Sequence, residues 1–293
     1  MRLFLLTTLT MVAFAANSVL NRMALAGGDI DAISFGSVRL MAGAVTLAVL
    51  SIVLRGGLPL RGPGRMVGVL SLLVYVYGFS TAYRALDAGL GALILFGVVQ
   101  ITMFAGGLAA REAMPARRWV GAALAFGGLA WLLWPGSGPT VSLGHGLLMA
   151  AAGVGWGIYS LVGRRGGDAL QTTAANFVLA APLGLALGLG LPAGPQGTVA
   201  GTQGLALAVL SGAMMSGMGY ALWYSLLPRL AASIAAVAQL TVPMIAMAGG
   251  MVFLGEALTA RFALASALVL GGVAISVMPG RWRQGRRIGS SGS

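Results

Sequence analysis

The sequence predicts an all-α integral membrane protein of ten membrane-spanning helices, arranged as two five-helix repeats of inverted topology. Three observations carry this expectation. The chain of 293 residues is 58% hydrophobic and only 8% charged, about a third of the charge that a water-facing domain carries. Apolar runs of the roughly 20 residues that span a bilayer follow one another almost without a break. The two halves of the chain also resemble each other.

The spans fall at 3–25, 32–54, 66–84, 89–110, 117–134, 143–163, 170–191, 204–226, 231–254 and 261–279. The stretches between them are short and rich in Gly, Pro and Arg, as in Arg55-Gly56-Gly57-Leu58-Pro59 and Trp134-Pro135-Gly136-Ser137-Gly138-Pro139. None has room for a soluble domain. The first run also has the shape of a signal peptide, with Ala13-Phe14-Ala15 as an A-x-A site. Against that, Asn17 and Asn21 continue the same helix, and the repeat needs this segment. The expected organisation is a first repeat over 1–138, a second over 139–280 and a basic tail over 281–293 that reads in part as a tag remnant.

The formal net charge is +12, from 18 cationic and 6 acidic residues, and every cation is Arg. Such a balance would ordinarily point to nucleic acid or an anionic surface; the placement of the cations decides otherwise. With ten spans, 14 of the Arg residues fall at the termini and even-numbered connections. Three (Arg22, Arg84 and Arg261) fall on the opposite side, and Arg39 lies within the second span. Positive charge collects on the cytoplasmic side of membrane proteins, so both termini are expected in the cytoplasm and no nucleic-acid partner is expected.

Residue types exclude several chemistries. Cys is absent and His145 is the single histidine, which removes disulfides, thiolate nucleophiles and Cys- or His-cluster metal sites. Without Lys there is no Schiff base and no P-loop. An integral membrane enzyme would need a nucleophile with its base or a metal; with no Cys, a single His and no mid-span carboxylate, an enzyme is not expected. No cofactor is expected.

The repeat is clearest at a shift of 144, where Glu112-Ala113-Met114-Pro115-Ala116-Arg117 lies on Glu256-Ala257-Leu258-Thr259-Ala260-Arg261. Over 112–136 there are 11 identities in 25 positions, among them Glu, Arg and Pro matches that apolar composition does not produce. Nearer the start the shift is 142, placing Phe14-Ala15-Ala16-Asn17-Ser18 on Trp156-Gly157-Ile158-Tyr159-Ser160 and Arg22 on Arg164. Five spans per repeat is an odd number, so the halves must cross the membrane in opposite senses. Inverted repeats of this kind are a transporter architecture, with the solute held between the halves near the midplane.

These residues resemble the EamA-type, ten-helix branch of the drug/metabolite transporter superfamily, over about 3–280. The second half carries the family-like pattern Pro243…Gly255-Glu256; the first keeps Glu112 but has Val99 and Arg111 where that Pro and Gly would fall. Trp156-Gly157 matches the family's Trp-Gly, replaced by Phe14-Ala15 in the first helix, and Arg39 in Val38-Arg39-Leu40 is similar to a family Arg. Within the branch the chain is most similar to bacterial aromatic amino-acid exporters of the YddG type. The resemblance implies eight inner helices around a central cavity with the fifth and tenth peripheral, a bacterial inner-membrane location, and export of amino acids.

Polar and aromatic side chains inside spans are the candidate solute contacts, because lipid burial is costly for them without a role. Asn17, Ser18 and Asn21 lie on the first span; Tyr75, Phe79 and Tyr83 form a stripe on the third. Trp156, Tyr159 and Ser160 share a face of the sixth, and Tyr220, Trp223 and Tyr224 sit on the eighth. Gln100 and Gln239 lie in the fourth span of each half, five residues out of repeat register. Each set has a purely structural alternative: interfacial aromatics, as expected for Trp119, Trp131 and Trp134, and inter-helix hydrogen bonds for the amides.

Six residues are expected to be structural or gating: Arg39, Glu112, Arg117, Pro243, Glu256 and Arg261. Arg39 either satisfies helix-end carbonyls or meets a substrate carboxylate. Glu112 and Glu256 each lie five residues before an Arg and are expected to cap a helix or pair locally. Arg84 and Asp87 are within pairing range. Gly153, Gly155 and Gly157 should let the sixth helix approach its neighbours, and Pro182 and Pro243 should kink the seventh and ninth.

The expected function is movement of a small, amphipathic, net-neutral metabolite by a monomer in the lipid bilayer. No Asp, Glu or His lies mid-span, which favours facilitated diffusion or exchange over proton coupling. Transport of another metabolite or drug-like solute, and a non-transporting scaffold or receptor, are the competing readings.

Overall fold

The computed structural model describes residues 1–111, 115–134, 142–163, 167–190, 199–230 and 232–277. These form ten helical rods, with one isolated antiparallel bridge between Ile30 and Ala200 and no strand among the described residues. The first seven rods are α1 (Arg2–Ala26), α2 (Ala32–Arg55), α3 (Arg65–Ala82), α4 (Ala88–Ala109), α5 (Ala116–Leu133), α6 (Leu143–Gly163) and α7 (Ala169–Gly190). The eighth joins α8 (Thr202–Leu210), a π-helical stretch (Ser211–Met218) and α9 (Gly219–Leu226). The ninth is α10 (Ala232–Gln239) followed by α11 (Thr241–Leu254), and the tenth is α12 (Ala260–Val277).

Nine of the rods are long and apolar enough to cross a membrane. The fifth has 18 residues but opens on Arg117 and Arg118, whose charge lowers its apolarity. Two rods depart from uniform α-helix. Pro243 has no N–H to offer the carbonyl four residues back at Gln239, and the ninth rod breaks at Leu240. Pro182, by contrast, is carried inside α7 without interrupting it.

Burial is reversed relative to a water-soluble protein. Asn17, Asn21, Arg39, Ser211 and Ser216 are buried, while Phe4, Val53, Phe253 and many other large apolar side chains face outward. That inversion is stable only where the surroundings are lipid. Close approach by small residues substitutes for hydrophobic driving force between the helices. Three glycines in the middle of α6 alternate neighbours: a Cβ on Gly153 would meet the Leu95 carbonyl of α4, one on Gly155 the Ser71 carbonyl of α3, and one on Gly157 Thr102 of α4.

The rods pack in a reciprocal pattern. α5 lies on α12, α2 on α7 and α4 on α11; α3 on α6 is matched by the eighth rod on α1, and α4 on α6 by α11 on α1. Exchanging each rod with the one five further along maps these principal contacts onto themselves. The same exchange holds at residue level between α5 and α12. A Cβ on Gly272 would lie 2.6 Å from the Gly121 carbonyl, and one on Gly128 would lie 3.4 Å from the Ala265 carbonyl. A shift of 144 turns one contact into the other.

The connections sort to two ends. At the end carrying the even-numbered connections, Arg55 pairs with Asp168 at 2.8 Å, and Arg65 donates to the Thr172 carbonyl and Asn176 Oδ1 at 2.8 and 2.9 Å. Burial works against the Asp168 charge, but the Gln171 N–H and the Arg55 guanidinium outweigh it and hold this carboxyl below the usual range. This end is called the Arg-rich face below.

At the opposite face, Arg22 reaches Asp87 and Glu256, each at 3.5 Å, and Arg261 donates to the Trp131 and Trp134 carbonyls. The expected pair of Arg84 with Asp87 is not formed, and of the two roles expected of Glu256 the cap is the one seen. Asp87 pairs with Arg22, not with its chain neighbour Arg84, whose carbonyl also accepts from Arg22. Glu256 turns away from Arg261 and caps a different helix, because Gly255 adopts a left-handed conformation (φ 66°) that reverses the chain. Glu112 lies outside the described residues.

Candidate solute-binding site

A cavity of about 520 Å³ lies between the halves, within the range of small-molecule sites. Its walls come from α1 (Phe14), α4 (Val99, Gln100, Met103), α6 (Trp156, Tyr159, Ser160, Gly163) and α7 (Ala169, Thr172, Thr173). The eighth and ninth rods complete it with Trp223, Tyr224, Leu227, Leu230, Ala235 and Gln239. Gly163, Ala169 and Leu230 are helix-end residues beside even-numbered connections, so the cavity reaches toward the Arg-rich face. A second, much smaller chamber of about 20 Å³ lies deeper, lined by Asn17, Ser18, Tyr75, Phe79, Leu95, Phe96, Met215 and Tyr220. Phe14 and Trp156 belong to both walls.

Aromatic rings separate the two spaces. Trp156 stacks on Tyr159 at 5.3 Å and lies 4.9 Å from Tyr75 and 5.0 Å from Tyr220, between ring centroids. Phe14 meets Tyr220 and Trp223 edge-on at 5.7 and 6.0 Å. The column continues through Phe79 to Tyr83. Tyr83 reaches neither space: its hydroxyl donates to the Ala88 carbonyl at 3.2 Å, and it is fully buried.

Below the small chamber, Asn17, Asn21, Ser80 and Ser211 form a buried hydrogen-bonded set joining α1, α3 and the eighth rod. Ser211 Oγ donates to Asn17 Oδ1, Ser80 Oγ to Asn21 Oδ1 at 3.2 Å, and Asn21 Nδ2 to the Asn17 carbonyl at 2.8 Å. Asn21 therefore holds helices together and touches neither cavity, whereas Asn17 does both. A fully connected polar set of this kind fixes one arrangement of the rods it joins.

Arg39 does not sit among helix-end carbonyls as one sequence reading had it. It is fully buried in mid-bundle. Nε donates to Ser216 Oγ at 3.1 Å and Nη2 to the Tyr75 hydroxyl at 2.8 Å, with the guanidinium 5.1 and 5.0 Å from the Tyr75 and Phe79 ring centres. Ser216 is in the π-helical stretch, where Gly212 also packs directly on the Arg39 carbonyl. Helix irregularity at a site of close approach is a recurrent mark of function.

Glu256 closes the opposite face. Its carboxylate accepts the Ala88 N–H at 2.9 Å, capping α4, and pairs with Arg22, which also donates to the Tyr83 carbonyl at 3.2 Å. The end of α1 and the α3–α4 and α11–α12 connections are thereby tied together. Burial pushes this carboxyl above the usual range, against the pull of the Ala88 N–H and Arg22.

The expected site residues thus divide. Gln100, Trp156, Tyr159, Ser160, Trp223, Tyr224 and Gln239 line the large cavity, and Asn17, Ser18, Tyr75, Phe79 and Tyr220 the small one. The two glutamines, out of repeat register, share one wall space. Pro243 lies in the first turn of α11 and Arg117 in the first turn of α5. Thr172, Thr173 and Met215 were not anticipated. Two adjacent threonines in a largely apolar helix are a legible signal; Met215 carries none.

Ten rods with a lipid-facing apolar exterior and an internal cavity define a multi-pass membrane protein of the transporter kind. Residues 145–278 match the EamA-like transporter family. The chain is 47% identical over 286 residues to Uncharacterized protein PA1977 of Pseudomonas aeruginosa, covering 97% of this chain and 98% of that one. The chain belongs to the EamA-like transporter family, within the drug/metabolite transporter superfamily. A solved crystal structure shares 22% identity over 91% of this chain and 96% of that chain, with a TM-score of 0.62. At that identity the likeness concerns the fold.

Proposed function

We propose that the protein is a secondary transporter that exports small amphipathic metabolites, above all neutral and aromatic amino acids, by alternating access across a bacterial inner membrane. The Arg-rich face is cytoplasmic in this reading, as the distribution of Arg favours. The halves 1–138 and 139–280 act as inverted repeats; the reciprocal contacts of α5 with α12 support that. The observation that carries the reading is the asymmetry of access. A cavity of about 520 Å³ reaches toward one face, while the aromatic column and the Arg22–Glu256–Asp87 cluster close the other. That is the geometry of an inward-open state, and a rocking motion would exchange the closures.

Flux by the purified protein in liposomes tests it. Concentrative counterflow of at least one amino acid is expected, and none for any amino acid or related metabolite would favour a receptor or scaffold. Gln100→Ala should lower flux several-fold without loss of folded protein; wild-type flux would remove Gln100 from the site. With no carboxylate in mid-span, an imposed pH gradient should not drive accumulation. The lack of Cys makes access directly measurable. Ser160→Cys should react with a membrane-impermeant thiol reagent from the Arg-rich face at least tenfold faster than Ser18→Cys, and equal rates would contradict the closed chamber.

A further inference from the structure

Arg39 is a guanidinium buried completely at the centre of a membrane protein, and none of the described carboxylates faces it. Each of these is engaged at one end of the bundle: Asp29, Asp31, Asp87 and Glu256 at the opposite face, Asp168 at the Arg-rich one. The Arg39 donors meet only neutral hydroxyls, those of Ser216 and Tyr75 with Tyr220 beside them, and Nη1 has no hydrogen-bond partner. A buried cation is ordinarily paired, because desolvation without a counter-charge costs several kcal/mol. The folded protein therefore holds a standing demand for an anion next to the small chamber.

The hydrogen-bond accounting at Tyr75 shows where that demand is presented. A phenol has one proton to donate and two lone pairs. The oxygen accepts from Arg39 Nη2 at 2.8 Å and from the Tyr220 hydroxyl at 3.4 Å. Both lone pairs are used, and the proton of Tyr75 remains to be donated. Tyr75 lines the small chamber, and the positive charge behind its oxygen strengthens it as a donor. At about 20 Å³ the chamber has room for a water or a single carboxylate group and no more. Beyond Phe14 and Trp156, the larger cavity has room for the body of a solute.

We propose that Arg39, acting through the Tyr75 hydroxyl, makes the inner chamber selective for a carboxylate, so that the transported solutes are carboxylic acids whose apolar part lies in the larger cavity. Arg39 is a positioning residue in this arrangement and Tyr75 the contact. The inference rests on the transport reading and sharpens it: a zwitterionic amino acid is accepted for its carboxylate, not for its overall neutrality.

The test compares amino acids with their amides, which differ in that one group, by ligand-induced thermal stabilisation of the purified full chain and by counterflow in liposomes. The pairs are glycine, alanine, leucine and phenylalanine, each with its amide, together with 3-phenylpropionate and its amide. Wild type should prefer at least one acid over its amide by about ten- to a hundredfold, the ratio expected of a charge-assisted hydrogen bond. Tyr75→Phe retains the ring and should bring the ratio to within about threefold, at a lower unliganded melting temperature, because Arg39 Nη2 loses its acceptor.

Arg39→Lys should keep part of the preference and Arg39→Gln should abolish it. A role in packing alone would lower stability without changing the ratio. Wild type with no preference for any acid overturns the inference, as does an undiminished ratio in folded Tyr75→Phe, whether or not Arg39→Gln folds. Acid-selective stabilisation with no flux of any solute would leave the chamber assignment standing and remove the transport reading instead.

Discussion

Glu256→Ala is expected to open the face of the protein that the structure holds closed. The side chain is 5% exposed and ties its own connection to the end of α1 through Arg22 and to the α3–α4 connection through the Ala88 N–H. Its loss leaves Arg22 with Asp87 and two carbonyls, so the cation is not orphaned. The buried Ala88 N–H, however, loses its acceptor and α4 its cap. Those losses amount to about 2 kcal/mol, and if they fall on the closed state alone they shift the open-to-closed ratio about thirtyfold. Labelling of Ser18→Cys from the opposite face should accelerate accordingly. An unchanged rate in folded Glu256→Ala would show that the aromatic column closes this face alone.

The same carboxylate implies a pH dependence whose sign follows from its raised pKa. The fold favours the protonated form, so the contribution of this group to stability is fullest below the ordinary carboxylate range. It is lost as pH rises through the raised value. Protonation weakens the charged pair with Arg22, but burial outweighs that pair, so the closed face binds the proton more tightly than an opened, solvated one. Labelling at the closed face should therefore fall as pH is lowered toward that range, and in Glu256→Gln this dependence should vanish. Acidity would set the rate of opening without driving accumulation.

Gly155→Leu is expected to be the most damaging single substitution in the sixth rod. A Cβ at this position would already lie 2.7 Å from the Ser71 carbonyl and 3.0 Å from the Tyr75 nitrogen. Both contacts are to backbone of α3, which cannot swing aside as a side chain can. A leucine must therefore push α3 and α6 apart, at about 3 kcal/mol or more. It would also pull Trp156 from Tyr75, whose rings are 4.9 Å apart, and so disrupt the partition between the cavities. A large loss of folded protein or of melting temperature is the expected outcome. Gly144→Leu, where a Cβ meets open space, is the control on the same helix. Equal stability of the two variants would contradict the α3–α6 packing.

Much of the site was readable because membrane burial penalises polarity. In an apolar helix, each Asn, Gln or Tyr stands out against its neighbours, and Asn17, Gln100, Trp156, Tyr159 and Gln239 were identifiable on that ground. The same logic could not separate solute contact from helix–helix glue. Asn21 and Tyr83 look like Asn17 and Tyr75 in the sequence, yet their polar groups are spent on the Asn17 and Ala88 carbonyls. Met215 was invisible because an aliphatic residue inside a span has no contrast with its neighbours. A capping role for Glu256 was legible, but not its partners: sequence distance favours Arg261, while the carboxylate, just past the left-handed turn at Gly255, meets Arg22 and the Ala88 N–H.

The sequence by itself determined the solvent and the chain's path through it. Lipid demands long apolar helices with charge only at their ends, and that requirement is written locally, run by run. The repeat register and the asymmetry of Arg are likewise properties of one dimension. Only the tertiary structure decided which ends meet, which face is closed and that the buried Arg39 faces none of the described carboxylates. These depend on contacts between residues far apart in the chain, Arg39 with Ser216 and Arg22 with Glu256. No local pattern encodes them, because the energy that selects them is gained only when the helices are already side by side.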